Sequence, residues 1–310
     1  MNNEVRTVPP VPSEFAASKF RWNWHERVAR GVRRGHTLVI SDHGMGKTYT
    51  GRIIAGDTGL PMWYVSASYG LERSVLEGQY FPDTDQHGIR LVATDGIVSS
   101  AVLADGLLVI DEFFRLPGEV QSCLFAAMDA HRGDYTIAYR GATIRVGEHF
   151  RVLGFTNPPS PMYPEVEIAD RALLSRFSTV INVPFPDGKE WARFMAHLKF
   201  PKEHLIRTIN FLLRVRLAFQ KGDIDNFVSP RDVVFFNDAI TAGLSIDDAF
   251  ADSIVGKFGA RFEEAIRGFW VLNAGKVNPT GGTGSLGAML AASSPLWRTW
   301  YSAQKREPSG

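Results

Sequence analysis

The sequence predicts an α/β fold, a parallel sheet flanked by helices, followed by a smaller all-helical domain. Three observations predict it. Short apolar runs alternate with helical stretches between His36 and Val183. Apolar strands alternating with helices read as a parallel sheet covered on both faces. A glycine-containing loop, Ser41-Asp-His-Gly-Met-Gly46, stands directly between one such run and a helix. Beyond Pro184-Phe-Pro186 the alternation stops, and helical periodicity takes over.

Bulk properties bound the answer. At 310 residues the chain has room for one large or two medium domains. Its hydrophobic fraction of 45% is that of an ordinary globular protein able to bury a core. A formal net charge of +1 gives no wholesale attraction to nucleic acid or to an anionic membrane. The single cysteine, Cys123, excludes an intramolecular disulfide and a multi-cysteine metal site, and reads as a small buried apolar residue. No apolar run approaches the roughly 20 residues of a membrane span. The stretch Met1 to Ser13, with three prolines and no apolar core, is not a secretory signal, so a cytoplasmic location is expected by default.

Taken in order, residues 1–18 read as a flexible arm, 19–186 as the α/β domain, 187–274 as the helical domain and 275–310 as a flexible tail with an aromatic end at Trp297, Trp300 and Tyr301. Residues 19–34 set Lys19, Arg21, Arg27, Arg30, Arg33 and Arg34 around Trp22 and Trp24. Such a stretch can bind nucleic acid. It also fits an amphipathic helix with Trp24, Val28 and Val32 turned to a core. His36 to Ile40 is the first core strand, and a helix from about Lys47 to Ala55 follows the loop. Pro61 to Ser66, Leu107 to Ile110, Val152 to Phe155 and Ser178 to Val183 are further core strands, and a helix is expected near Glu119–Ala130. Segments 78–95 and 134–147 have hairpin alternation. Helices are expected over Leu205–Gln220, Pro230–Ala242 and Ile246–Trp270.

Three strand ends carry the chemistry. The loop holds Gly44 and Gly46 before Lys47 and Thr48, with Ser41 where the full phosphate-loop pattern has glycine. Glycine lets backbone N–H groups come close to phosphate oxygens, and the helix beginning at Lys47 adds its positive end. Lys47 is placed for the outer phosphates of ATP, and the Thr48 hydroxyl for Mg2+. His43, Gly44, Met45, Gly46, Lys47, Thr48 and Tyr49 are therefore the expected nucleotide contacts. Asp111 and Glu112 end the run Leu107-Leu-Val-Ile110, and carboxylates there face the crevice where ligands bind. Asp111 is expected to hold magnesium and Glu112 to polarise the attacking water. Asn157 ends the next apolar run, where an amide can meet both the terminal phosphate and the water.

The run from Val109-Ile-Asp-Glu-Phe-Phe-Arg-Leu-Pro-Gly to Leu124-Phe-Ala-Ala-Met128 resembles the MoxR type of AAA+ ATPase. Relatives of that type include the gas-vesicle, carboxylase-activase, nitric-oxide-reductase-activator and cobaltochelatase ATPases. Phe155-Thr-Asn-Pro158, Leu173-Leu-Ser-Arg-Phe177 and Ser229-Pro-Arg231 match as well, so the likeness spans about residues 20–245. The resemblance implies an AAA+ P-loop α/β sheet with an all-α lid domain, working as a homo-oligomeric ring, most often a hexamer. It implies that Arg176 is a finger reaching the nucleotide of the adjacent subunit, with Arg171 as a competing or second finger. It implies that Arg231 contacts nucleotide within its own subunit. The two hairpins would be clade-specific inserts facing a pore or a partner. The implied partner is a protein that is remodelled by ATP hydrolysis, beside a protein with a von Willebrand factor A domain. A nucleic-acid motor is the alternative, and the few cations in the hairpins, Arg90 and Arg140, argue against it.

Overall fold

A computed structural model of the chain describes residues 9–14, 20–85, 88–129, 133–158 and 174–274. The expected tail, the hairpin tip at 86–87, Leu173 and Arg171 lie outside the described residues, as do Lys19 and most of the expected arm. The chain divides into two compact units, Met1–Pro184 and Phe185–Gly310.

In the first unit, α1 (Asn23–Arg34) leads into β1 (Thr37–Ile40), the glycine loop and α2 (Lys47–Thr58). Next come β2 (Met62–Ser66), the short α3 (Arg73–Glu77), an antiparallel hairpin of β3 (Gly78–Asp85) and β4 (Gly88–Asp95), and α4 (Ile97–Leu103). After β5 (Leu107–Asp111) come α5 (Gly118–Met128), a second hairpin of β6 (Asp134–Ile137) and β7 (Ala142–Arg145), β8 (Arg151–Thr156) and β9 (Thr179–Asn182). Five strands form one parallel sheet in the order β2-β5-β8-β1-β9. Because every pair is parallel, all C-terminal strand ends lie along one edge. The register sets Ile40 beside Thr156 and Asn182, and Ser66 beside Asp111.

The core follows from the apolar runs. Leu38, Val39, Leu107, Leu108, Val109, Ile110, Val152, Leu153 and Phe155 are all fully buried. Two glycines bring neighbours into close contact. A Cβ on Gly154 would lie 2.9 Å from the Phe113 ring and 3.0 Å from Leu38, so the bare backbone is what lets Phe113 tuck against β8. A Cβ on Gly51 would meet Val109 at 3.0 Å, so α2 rides close on the sheet beneath it.

The basic-aromatic stretch resolves as the amphipathic helix. Trp22, Trp24, Val28 and Val32 are buried, and Arg27, Arg30, Arg33 and Arg34 stay exposed. With both indoles buried, neither offers a face for stacking on a base. Arg21 instead forms a two-pronged ion pair with Asp57 on α2, at 2.5 and 2.6 Å. Both expected hairpins form. The short helices α3 and α4, too brief to show a helical period in the sequence, flank the first hairpin.

The second unit is helical: α6 (Gly188–His197), α7 (Lys202–Lys221), α8 (Pro230–Thr241), α9 (Ile246–Ser253) and α10 (Glu263–Ala274). Ser229 and Asp232 form a capping box at the start of α8, with Pro230 at its first position, where a missing N–H costs nothing. Residues 246–270, expected as one helical stretch, are two helices. Two 3-10 turns, Val255–Lys257 and Ala260–Phe262, interrupt them around Gly256 and Gly259. The break folds the chain back so that Trp270 stacks on Phe250 with centroids 4.3 Å apart.

Two buried histidines in the first unit give acid sensitivity. His25 sits 3.0 Å from the Thr50 hydroxyl, and burial pushes its pKa down to about 3. His36 accepts the Val152 N–H through Nδ1 at 3.0 Å, and burial lowers its pKa to about 4. Both are neutral when folded, and in the unfolded chain each titrates near the ordinary value of about 6.5. Their contribution is therefore complete above about pH 6.5. It is lost as pH falls toward 4, each histidine reducing the folding equilibrium constant up to about tenfold per pH unit. Denaturant midpoints should drop between pH 7 and pH 5, and the drop should be smaller in His25→Gln. An equal drop in that variant contradicts the assignment.

Candidate active site

The glycine loop leaves β1 at the sheet's C-terminal edge. The Ser41 N–H donates to the Thr156 carbonyl at 3.0 Å, fixing the loop to the end of β8. Gly44 and Gly46 have φ of 70° and 82°, the left-handed region that favours glycine, and Gly46 is the residue from which α2 starts. The first N–H groups of a helix have no partner within it, so the start of α2 offers donors to an anion. Ser41, in the place of the pattern's first glycine, is buried, and its Oγ meets no protein partner among the described residues. Met45 is buried in the body, so only its backbone faces the loop's concavity. The Tyr49 hydroxyl meets the Phe20 backbone N–H, which ties the segment before α1 to this helix.

Lys47 is only 7% exposed and bends back into the loop. Its ammonium donates to the Ser41 carbonyl at 3.2 Å and to Asn157 Oδ1 at 2.5 Å. Asn157, itself buried, turns its amide nitrogen to Glu112 Oε2 at 3.2 Å. One asparagine thus bridges the cation of the loop and the second carboxylate. Asp111 takes the other side. Its Oδ2 accepts the Thr48 hydroxyl at 3.0 Å and its Oδ1 accepts the Glu112 N–H at 3.0 Å. Glu112 adopts φ 53° and ψ 42°, a left-handed conformation that costs a non-glycine residue about 1 kcal/mol or more. That turn points the two adjacent carboxylates in different directions, Asp111 to Thr48 and Glu112 to Asn157. Five side chains from two strand ends and the start of one helix therefore meet at a single edge of the sheet.

Residues 36–177 match the family described as AAA domain (dynein-related subfamily). This segment is an AAA ATPase domain. Its fold is the observed parallel sheet with flanking helices, and the chain that carries it is a nucleotide-binding, ATP-hydrolysing enzyme. No curated protein matches the chain. Among solved structures, the chain is similar to a "putative ATPase" from Cytophaga hutchinsonii ATCC 33406, with 16% identity, 87% of this chain and 93% of that chain covered, and a TM-score of 0.44. A likeness so remote says nothing about activity.

The oxygen atoms of Thr48 and Asp111 suit a hard divalent cation. Thr48 Oγ1 and Asp111 Oδ2 face each other across 3.0 Å, and magnesium is commonly held by one or two such oxygens together with phosphates and water. Among the described residues no group of three or more His, Cys, Asp and Glu side chains forms a metal cage, and a phosphate-borne magnesium needs none. No helix of the described residues is long and apolar enough to cross a membrane.

Of the remaining expected site residues, Arg176 lies apart from this edge within the same unit. Arg176 stands three residues before β9, at the sheet's N-terminal edge, its guanidinium 4.4 Å from the Phe125 ring centroid. A four-residue strand is about 13 Å long, so Arg176 lies a full strand length or more from its own glycine loop. It lines an open cleft of about 990 Å3 with Arg34, Arg145 and Arg151, against the acids Asp129 and Glu148. Arg231 is an exposed residue in the first turn of α8, in the second unit. Two neighbours of the site escaped the sequence reading. Tyr64 donates its hydroxyl to Asp111 Oδ2 at 3.3 Å, and Arg115 Nε stands 3.8 Å from Glu112 Oε2. Tyr64 lies two residues before the end of β2, the strand beside Asp111, and that adjacency was the available signal.

Proposed function

We propose that the chain works as a MoxR-like AAA+ ATPase that assembles into a ring, a hexamer, and couples Mg2+-dependent ATP hydrolysis to remodelling of a partner protein. The observation that carries the catalytic part is the Asn157 bridge between Lys47 and Glu112. A group touching both the phosphate-gripping cation and the general base sits where the terminal phosphate and the attacking water must meet. Lys47 and the N–H groups of residues 43–48 bind the outer phosphates. Thr48 and Asp111 would hold magnesium, which supplies charge neutralisation at the phosphate oxygens. Glu112 accepts a proton from water as the water oxygen bonds to the terminal phosphorus and the bond to the bridging oxygen breaks, releasing ADP and phosphate. Asn157 orients that water.

Arg176 completes the site in trans. It sits at the edge opposite its own glycine loop, beside a cleft in which arginines outnumber acids, and this placement suits the nucleotide of a second copy. A cation arriving from an adjacent subunit stabilises charge as it develops on the transferred phosphoryl group.

The partner is a protein in this reading. The β3–β4 hairpin exposes Tyr80, Phe81, Ile89 and Leu91, which suits an apolar contact. Two of the three hairpin arginines are spoken for: Arg90 pairs with Asp83 at 3.0 Å and Arg140 with Asp95 at 2.9 Å, while Arg145 lines the cleft of Arg176. Neither is a bare cation for a DNA backbone. A partner with a von Willebrand factor A domain is the first to test.

Subunit mixing tests the ring. Lys47→Ala keeps Arg176 but has a damaged pocket, and Arg176→Ala keeps the pocket but lacks the finger. Each alone should be inactive. Mixed assemblies should regain part of the ATPase rate, because some interfaces join an intact pocket to an intact finger. Full activity of Arg176→Ala alone, or activity that does not depend on protein concentration, contradicts assembly.

A further inference from the structure

We propose that Tyr64 is a positioning residue for Asp111, holding that carboxylate in the orientation that magnesium requires; this rests on the ATPase reading of the site given above. The strand register makes the contact possible. Ser66 is the in-register neighbour of Asp111, and Tyr64 stands two residues earlier on the same face of β2. Its side chain reaches past Ser66 to put the phenol oxygen 3.3 Å from Asp111 Oδ2. The hydroxyls of Thr48 and Ser66 stand beside the phenol oxygen. Asp111 therefore has donors on both oxygens: Thr48 and Tyr64 at Oδ2, and the Glu112 N–H at Oδ1.

Of these donors, Thr48 is itself a magnesium ligand in the proposed site, and the Glu112 N–H belongs to the strained turn after β5. Tyr64 is the one anchored on a neighbouring strand, with no duty toward nucleotide. A carboxylate at the end of a strand can rotate about its side-chain bonds, and a fixed donor limits that rotation. Groups that orient a metal's protein ligands typically change metal affinity 10–100-fold when removed.

The substitution Tyr64→Phe removes the hydroxyl and keeps the ring. The probe is Mn2+, titrated by electron paramagnetic resonance into the full-length protein loaded with ADP. The variant should bind Mn2+ about tenfold or more weakly than the parent. ADP affinity measured in EDTA should be unchanged, because the phosphate loop is untouched. The Mg2+ concentration giving half-maximal ATP hydrolysis should rise, with most of the rate recovered at saturating metal. Unchanged Mn2+ affinity overturns the role of Tyr64, as does an equal loss of ADP affinity in EDTA, which would mark general damage to the pocket. A parent protein that binds neither ADP nor Mn2+-ADP would instead overturn the reading of the site itself.

Discussion

Lys47→Ala loses ATP binding. The ammonium is the one side-chain cation of the described residues that the glycine loop wraps, and it is held by the Ser41 carbonyl and Asn157 in a nearly buried position. Hydrogen bonds to charged groups contribute about 1.5–3 kcal/mol each. Losing two phosphate contacts of that kind weakens ATP about a hundredfold or more, since each 1.4 kcal/mol is tenfold. Folding should survive, because alanine removes a desolvated charge from a helix start rather than a packed apolar group. Fluorescent-nucleotide titration measures the affinity, and thermal melting without nucleotide checks the fold. Undiminished affinity in a folded variant contradicts the phosphate role of Lys47.

Glu112→Gln separates binding from turnover. Glutamine keeps the size of the side chain and can still accept the Asn157 amide through its carbonyl oxygen, so the bridge of Asn157 is preserved. It cannot accept the proton of the attacking water. Losing a general base costs typically 10²–10⁴-fold in rate. Nucleotide affinity should hold or improve, because a negative charge near the phosphates is gone. Phosphate release at saturating ATP gives the rate. A variant with the parent's rate removes Glu112 from the chemistry, and Asp111 or a water chain would have to replace it.

Much of this site was legible in the sequence because each part sits where a strand ends. Apolar runs fix the strands, parallel pairing puts their C-terminal ends on one edge, and a polar residue just past the run is delivered to that edge. Asp111, Glu112 and Asn157 follow this rule, and the glycine loop after β1 brings Lys47 to the same edge. What the sequence hid were contacts between parts. Nothing in a chain shows that Asn157 would face Lys47 with its oxygen and Glu112 with its nitrogen, since the two contacts join residues far apart in order. Tyr64 was hidden for the same reason: it looks like any aromatic in a strand until the register sets β2 against β5. The left-handed turn at Glu112 was hidden because only glycine announces such a conformation. The helical unit was read less well. Apolar residues continue at helical spacing through 246–270, and periodicity does not register the turn that brings Trp270 onto Phe250.

The Arg176 cleft and the Asn157 bridge concern different steps, assembly and chemistry. If both readings hold, a subunit can bind ATP alone but hydrolyse it only beside a neighbour. Tyr64, Thr48 and Asp111 then govern metal affinity, and Glu112 and Asn157 govern the water.

The nucleotide that stays with the protein tests the hydrolytic site most directly. Parent protein and Glu112→Gln are each incubated with Mg2+ and ATP, passed rapidly through a desalting column, and their bound nucleotide is identified by chromatography. The expected result is ADP on the parent and unhydrolysed ATP on Glu112→Gln. ADP on both proteins in equal amount would contradict the central claim, because hydrolysis would then proceed without the carboxylate at the end of β5.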